Sequence, residues 1–249
     1  MRILAVDTAT PLSSVAILED GQLSAEATLP PQSPNEVAVS AKSTHSETVI
    51  QLIQSVLDGA HRRLSEIDAI AVSIGPGSFT GLRIGLALVK GIAYECHLPV
   101  VAVSSLEAQA ARVAGLSGTI CPLLDARKQE VYAALFDRRD GELVRCLADQ
   151  AIAVSELAGF FGAAAKTAEI VFVGNGAERY REQILDLFDG RAQIIGENCA
   201  GSAAATVARL ALARIAVAPG ADLGQLVPLY MGSSQGLGNT REILPNPLK

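Results

Sequence analysis

The residues best placed to do chemistry are two aspartates and a glycine-rich stretch between them. Asp7 closes the apolar run Ile3-Leu4-Ala5-Val6 and is followed by Thr8-Ala9-Thr10; Asp125 closes a second apolar run, Thr119 to Leu124, and is followed by Ala126-Arg127-Lys128. Two strand-end carboxylates across a cleft could hold magnesium and phosphate. Both loops, however, lack the glycine pair through which backbone amides wrap a phosphate. The anion site they would form is therefore expected to be weak, with Asp7, Thr8, Asp125 and Arg127 joined by Gly174 and Gly176 of the turn Gly174-Asn175-Gly176. The stretch Ser73-Ile-Gly-Pro-Gly-Ser-Phe-Thr-Gly-Leu-Arg-Ile-Gly85 reads as a tight strand-to-helix turn, with Ser78 or Thr80 as the helix cap. No Gly-Lys-Ser/Thr follows the glycines, which excludes a P-loop, and neither Ser73 nor Ser78 has the flanking glycines of a nucleophile elbow. What remains is close approach: Gly81, Gly85 and, farther along, Ala87 and Gly91 put small residues on the helix, against either the chain's own sheet or another chain.

Metal and redox chemistry find little support. The histidines are His45, His61 and His97, far apart in the chain, whereas a catalytic metal normally takes three protein ligands. The four cysteines, Cys96, Cys121, Cys146 and Cys199, form no C-x-x-C pair and sit in apolar stretches expected to bury them. A net charge of −6 argues against a protein that grips nucleic acid by itself. The opening residues read as a strand and not as a signal sequence, and no run reaches the roughly 18 apolar residues of a membrane span. A cytoplasmic protein is expected.

The positioning elements follow from periodicity. Strands are predicted over 2–8, 14–18 and 22–29, a helix over 43–59 capped by Ser43 or Thr44, a strand over 68–74, a helix over 80–95, a strand over 100–103 and a helix to about Ala114. The pattern then restarts about 118 residues on: strands at 119–124, 130–136 and 142–148, a helix at 155–166, a strand at 170–173, a helix at 177–188, a strand at 192–195 and an Ala-rich helix at 202–217. A repeated βββαβα order predicts an α/β protein of two tandem RNase H-like halves with mixed sheets, residues 1–105 and 106–218. Residues 219–249 form a C-terminal segment whose tail after about 232 is rich in Gly, Ser, Asn and Pro and expected to be mobile.

Two such halves, each with a strand-end Asp, resemble the actin/Hsp70/sugar-kinase (ASKHA) class. The stretch from Ser73 to Gly85 resembles the hallmark of the bacterial TsaB (YeaZ) family, within the glycoprotease-like (peptidase M22) superfamily. Ile3-Leu-Ala-Val-Asp-Thr-Ala-Thr10, Val103-Ser-Ser-Leu106, Leu124-Asp-Ala-Arg127, Glu130-Val-Tyr132 and Gly174-Asn-Gly-Ala177 follow in family order. The resemblance implies a subunit of the apparatus that makes N6-threonylcarbamoyladenosine (t6A) at position 37 of tRNAs reading ANN codons. Such a subunit is not catalytic on its own. It pairs with TsaD, the transferase, through the helices of its first half, and TsaE, an ATPase, joins them. Nucleotide, magnesium and metal then belong to the partners, tRNA is met only through the complex, and the isolated chain can pair with itself. The contact would use Gly75, Gly77, Phe79, Thr80, Gly81, Arg83 and Gly85, with His45 and Val49 on the preceding helix. There Val49 stands where the transferase has the second histidine of H-x-x-x-H. The family's closing proline-tyrosine-leucine-arginine signature has become Pro228-Leu229-Tyr230-Met231-Gly232. The competing reading is an independent glycoprotease-like hydrolase or ATP-binding enzyme of the same superfold, for which a nucleophile, metal or phosphate cradle is required.

Overall fold

The computed structural model describes residues 1–29, 45–162, 169–196, 202–215 and 220–232. The cap at Ser43 or Thr44, Cys199 and the tail after 232 lie outside these residues, as does the side chain of His45.

The first sheet holds β1 (Arg2–Asp7), β2 (Ser13–Glu19), β3 (Gln22–Leu29), β4 (Ala69–Gly75) and β5 (Val100–Ser104), in the order β3-β2-β1-β4-β5. β1, β2 and β3 form an antiparallel meander, tightened at Asp20-Gly21, where both residues have positive φ. β4 and β5 join in parallel, so each needs a crossover helix. These helices are α1 (His45–Gly59) and α2 (Phe79–Cys96). α1 buries Val49, Leu52, Ile53, Val56 and Leu57, and α2 buries Leu82, Gly85, Leu86, Val89 and Ala93. Both stripes pack on the sheet face formed by Leu4, Val6, Val15, Ile17, Ile70 and Val72. Strand alternation sends Ile3, Ala5, Ala16, Ala69 and Ala71 to the opposite face.

The second sheet repeats the plan with β6 (Gly118–Arg127), β7 (Glu130–Arg139), β8 (Glu142–Ala153), β9 (Ile170–Val173) and β10 (Ala192–Ile195), ordered β10-β9-β6-β7-β8. Renumbered within its half, this is the order of the first sheet. The two RNase H-like halves are therefore present; β9 and β10 fall on their predicted bounds, whereas β6, β7 and β8 run longer, β8 by several residues. The helices depart more. The described part of the 155–166 segment is a single 3-10 turn and a short α4 (Leu157–Phe161). The helix expected over 177–188 starts earlier, as α5 (Asn175–Arg179), breaks at Tyr180 and resumes as α6 (Arg181–Phe188). Phe161, Phe172 and Phe188 build this half's core edge to face, with Phe161 and Phe188 ring centres 5.3 Å apart.

α3 (Ser105–Arg112), just beyond the expected boundary, packs Leu106 and Ala110 against Ile120, Leu124 and Phe136 of the second sheet and also touches β4 and β5 of the first. α7 (Ala203–Ile215), expected to close the second half, lies on the first sheet instead. Its Ala204, Ala205, Ala208 and Ala211 form a side-chain-poor stripe that fits the alanine-lined face of β1, β2 and β4. Segment 220–232 also belongs to the first half by packing. Ala221 N–H donates to Val100 O and Leu229 N–H to Ile74 O, each at 2.7 Å, and Leu226 is buried in that half's core. A charged cluster then ties the halves together. Arg214 of α7 grips Glu107 of α3 at 2.6 Å, while Arg145 of β8 pairs with Asp149 and reaches Ser104 at 3.3 Å.

Candidate functional sites

The glycine-rich turn meets the end of β1. Ser78 caps α2, its Oγ accepting the Gly81 N–H at 3.2 Å, and the Ser78 N–H donates to Ala9 O at 2.7 Å. The glycines lie so close to the β1 loop that side chains would not fit. A Cβ on Gly77 would lie 2.3 Å from Ala9 O, one on Gly81 2.1 Å from Thr8 O, and one on Gly85 2.3 Å from Thr8 Oγ1. Thr8 Oγ1 donates to Gly81 O at 2.8 Å, which closes the seam. Gly75, at φ +117°, is held elsewhere: a Cβ there would lie 2.6 Å from Leu229 O of the C-terminal segment.

This packing corrects two expectations. The close approach predicted for these glycines is real, but its object lies inside the chain: backbone oxygens for Gly75, Gly77 and Gly81, and the Thr8 side chain for Gly85. Nor do Asp7 and Thr8 line an open anion site, because α2 fills the space in front of them. Asp7 is 1% exposed, accepts a short hydrogen bond from Ser73 Oγ and one from Ala9 N–H at 3.2 Å, and has its carboxyl pushed up from the ordinary value by burial.

In the second half the structure does bring Asp125, Arg127, Gly174 and Gly176 together. Asp125 Oδ1 accepts from Tyr180 OH at 3.1 Å and from Arg127 N–H at 3.0 Å; Oδ2 lies 3.8 Å from Arg127 Nε and 3.7 Å from Arg179 Nη1. Asn175 Oδ1 accepts the Asp125 N–H at 3.0 Å. A Cβ on Gly174 would lie 2.5 Å from Leu123 O, so this glycine too serves a helix seated on a strand end. The carboxylate is already paired with two arginines. Tyr180 and Arg179, which sequence reading missed, mark the break between α5 and α6, for which periodicity offers no signal.

The predicted contact residues divide by direction. Phe79, Thr80 and Arg83 are exposed, Phe79 by 55%, and continue along α2 into exposed Ala87, Gly91 and Tyr94, the last 77% exposed. Ile50 of α1 is also exposed. Gly91 differs from its neighbours because a Cβ there meets nothing within 4 Å. Val49 is not part of any surface: it is 2% exposed and packs in the core of the first half. The expectation for buried thiols holds for Cys121, whereas Cys146 faces solvent on β8. Among the described residues no three His, Cys, Asp or Glu side chains converge on a metal-sized site, and no helix is long and apolar enough to cross a membrane.

The paired sheets of identical order place the chain in the two-domain actin/Hsp70/sugar-kinase class of folds. The family model described as TsaD, tRNA N6-adenosine threonylcarbamoyltransferase, matches residues 37–229. A Bacillus subtilis tRNA threonylcarbamoyladenosine biosynthesis protein TsaB is 30% identical over 187 residues, 75% of this chain and 76% of the relative. The Escherichia coli protein of the same name is 36% identical over 140 residues, covering 55% of this chain and 56% of its own length. A YeaZ structure from Pseudomonas aeruginosa superposes with a TM-score of 0.70 at 25% identity, covering 92% of this chain and 99% of that one. The chain belongs to the TsaB (YeaZ) family, inside the wider family that the transferase model describes.

Proposed function

We propose that this chain is a non-catalytic subunit of a cytoplasmic complex that forms N6-threonylcarbamoyladenosine at position 37 of ANN-decoding tRNAs. It pairs with a TsaD-like transferase through α2 and the adjoining face of α1, and a TsaE-like ATPase joins the pair. Nucleotide, magnesium and metal are held by those partners, and tRNA is met through the complex.

The observation that carries this reading is the outward face of α2. Phe79 and Tyr94 are exposed near the two ends of α2, Ile50 is exposed on α1, and between the α2 aromatics lies Gly91, a mid-helix glycine with open space around it. Such a glycine costs about 1 kcal/mol of helix propensity relative to alanine, and among the described residues nothing packs against it. A neighbour that comes close to the helix would. Meanwhile the strand-end carboxylates are engaged, one buried against Ser73 and the other paired with arginines. That arrangement supports a partner role over independent hydrolysis or ATP binding.

The test is reconstitution. The chain, its TsaD-like and TsaE-like partners, tRNA and an activated threonylcarbamoyl donor are combined, and t6A formation is followed with and without this chain. Loss of modification on its omission, together with a 1:1 pair with the transferase on size exclusion, supports the proposal. Modification by the partners alone, or hydrolase activity of the isolated chain, sinks it. Gly91→Ala adds a sharper measurement, with a higher Tm and weaker pairing expected.

A further inference from the structure

At the N-terminal end of this face, an arginine is held in a fixed pose by two aromatic rings, one of them supplied by the C-terminal segment. The Arg83 Cζ sits 3.6 Å from the centre of the Phe79 ring and 5.5 Å from that of Tyr230, and the two ring centres are 5.1 Å apart. Arg83 Nε donates to Tyr230 OH at 2.6 Å. Among the described residues, neither terminal nitrogen of Arg83 meets an acceptor. All three side chains are exposed, Phe79 by 55% and Tyr230 by 46%. Tyr230 is anchored from behind, because Leu229 N–H binds Ile74 O and Gly75 leaves room for the Leu229 carbonyl.

We infer that Arg83, stacked on Phe79 and pinned by Tyr230, is the specificity anchor of the α2 contact and takes a carboxylate of the partner protein. This rests on α2 being the partner face. A guanidinium whose Nε is occupied presents the edge between its two terminal nitrogens, the geometry that a carboxylate meets with two parallel hydrogen bonds. Stacking removes the rotamer freedom that an exposed arginine would otherwise lose on binding. Once covered, the free N–H groups need acceptors, since buried unpaired donors are costly. The local field points the same way: α2 carries Arg83 and Lys90 against Glu95, and its N-terminus adds a partial positive charge. Two cations on one helix of an acidic protein are too few for a nucleic-acid backbone, whose affinity grows with each phosphate neutralised. Aromatic and arginine side chains are also the residues in which binding energy concentrates at protein interfaces. The C-terminal segment thereby gains a role, completing the contact surface through Tyr230.

Isothermal titration of the TsaD-like partner into the full chain, at low and high salt, tests this with three variants whose melting temperatures are checked first. Arg83→Gln is expected to weaken pairing by about 10-fold or more and to flatten its salt dependence. Tyr230→Phe keeps the ring but loses the bond to Nε, and a weakening of roughly 3-fold is expected. Ala87→Arg places a bulky cation in the middle of the face and reports on the face itself. Wild-type pairing by Ala87→Arg overturns the assignment of α2. Lost pairing there with wild-type affinity and salt dependence in Arg83→Gln leaves that assignment standing and overturns the anchor. Wild-type pairing by Arg83→Gln with weakened tRNA binding by the assembled complex overturns it in favour of phosphate.

Discussion

The two halves solve the same packing problem and leave their aspartates with different partners. In each, a glycine-rich turn after the fourth strand of that half seats a helix on the end of the first strand: Gly77 and Gly81 against Thr8 and Ala9, Gly174 and Gly176 against Leu123 and Leu124. In the first half the seat continues down a long helix, and Asp7 vanishes beneath it. In the second the helix is a five-residue piece that breaks at Tyr180, so Asp125, its side chain still 10% exposed, is reached by the exposed Arg127 and Arg179. A long, closely seated helix converts a chemistry-bearing position into core and frees its own outer face for other use. A short one leaves the carboxylate to be neutralised by charges.

The comparison is most easily broken at the glycines. Gly81→Ala would put a Cβ 2.1 Å from a backbone oxygen that cannot rotate away, so α2 or β1 must shift. A loss of about 3 kcal/mol is expected, seen as a Tm lower by several degrees. Gly176→Ala meets backbone atoms at 2.9 to 3.0 Å and should cost roughly 1 kcal/mol, because a smaller shift accommodates it. Thermal melts showing equal losses would mean that the two helices are not seated differently. Lost partner pairing in Gly81→Ala would say nothing about the contact face, since this glycine acts inside the fold.

The buried carboxylate offers a pH test. Burial raises the Asp7 pKa, opposed by the bonds from Ser73 and Ala9 and by the charge of Arg112. The folded state therefore holds the proton more tightly than the unfolded chain. Its stabilising contribution is complete below the ordinary carboxylate value and is lost as pH rises through the raised folded value. Asp7→Asn cannot ionise, so its Tm should fall less than that of the wild type between pH 4 and pH 8. Parallel Tm curves would show that the site carries no such linkage.

Much of this was legible in the residues. Asp20-Gly21 and Asp140-Gly141 mark hairpins because both adopt positive φ, and the apolar periodicity of Val49, Leu52, Ile53 and Val56 marks one buried stripe. That same periodicity puts Val49 in the core stripe, although its match to the transferase's second histidine implies a contact residue. The closeness required by Gly81 and Gly85 was readable, but glycine reports only that something approaches. Internal packing and a foreign chain leave the same trace in sequence. The residence of α7 on the first sheet was hidden for a related reason, since an alanine stripe fits any flat apolar face and only tertiary shape selects one. Tyr230 could not be tied to Arg83 because the two are brought together by an irregular segment without periodicity.

The smallest effect should come from Asp125. Asn at this position can still accept from Tyr180 OH and the Arg127 N–H, so only the attraction to two arginine side chains disappears. Those side chains are 74% and 55% exposed, the carboxylate's own 10%, and they stand 3.8 and 3.7 Å from it, a distance too long for hydrogen bonds. Pairs of this kind contribute about 0.5 kcal/mol, and salt screens them. Asp125→Asn should therefore lower Tm by a degree or two in dilute buffer, with the gap to wild type closing in roughly 1 M salt, where the Debye length falls to about 3 Å. A salt-insensitive loss as large as that of Gly176→Ala would mean that the carboxylate is a structural hub of its half, held by Tyr180 and the turn backbone. The contrast drawn between a buried and a charge-balanced aspartate would then have to be abandoned.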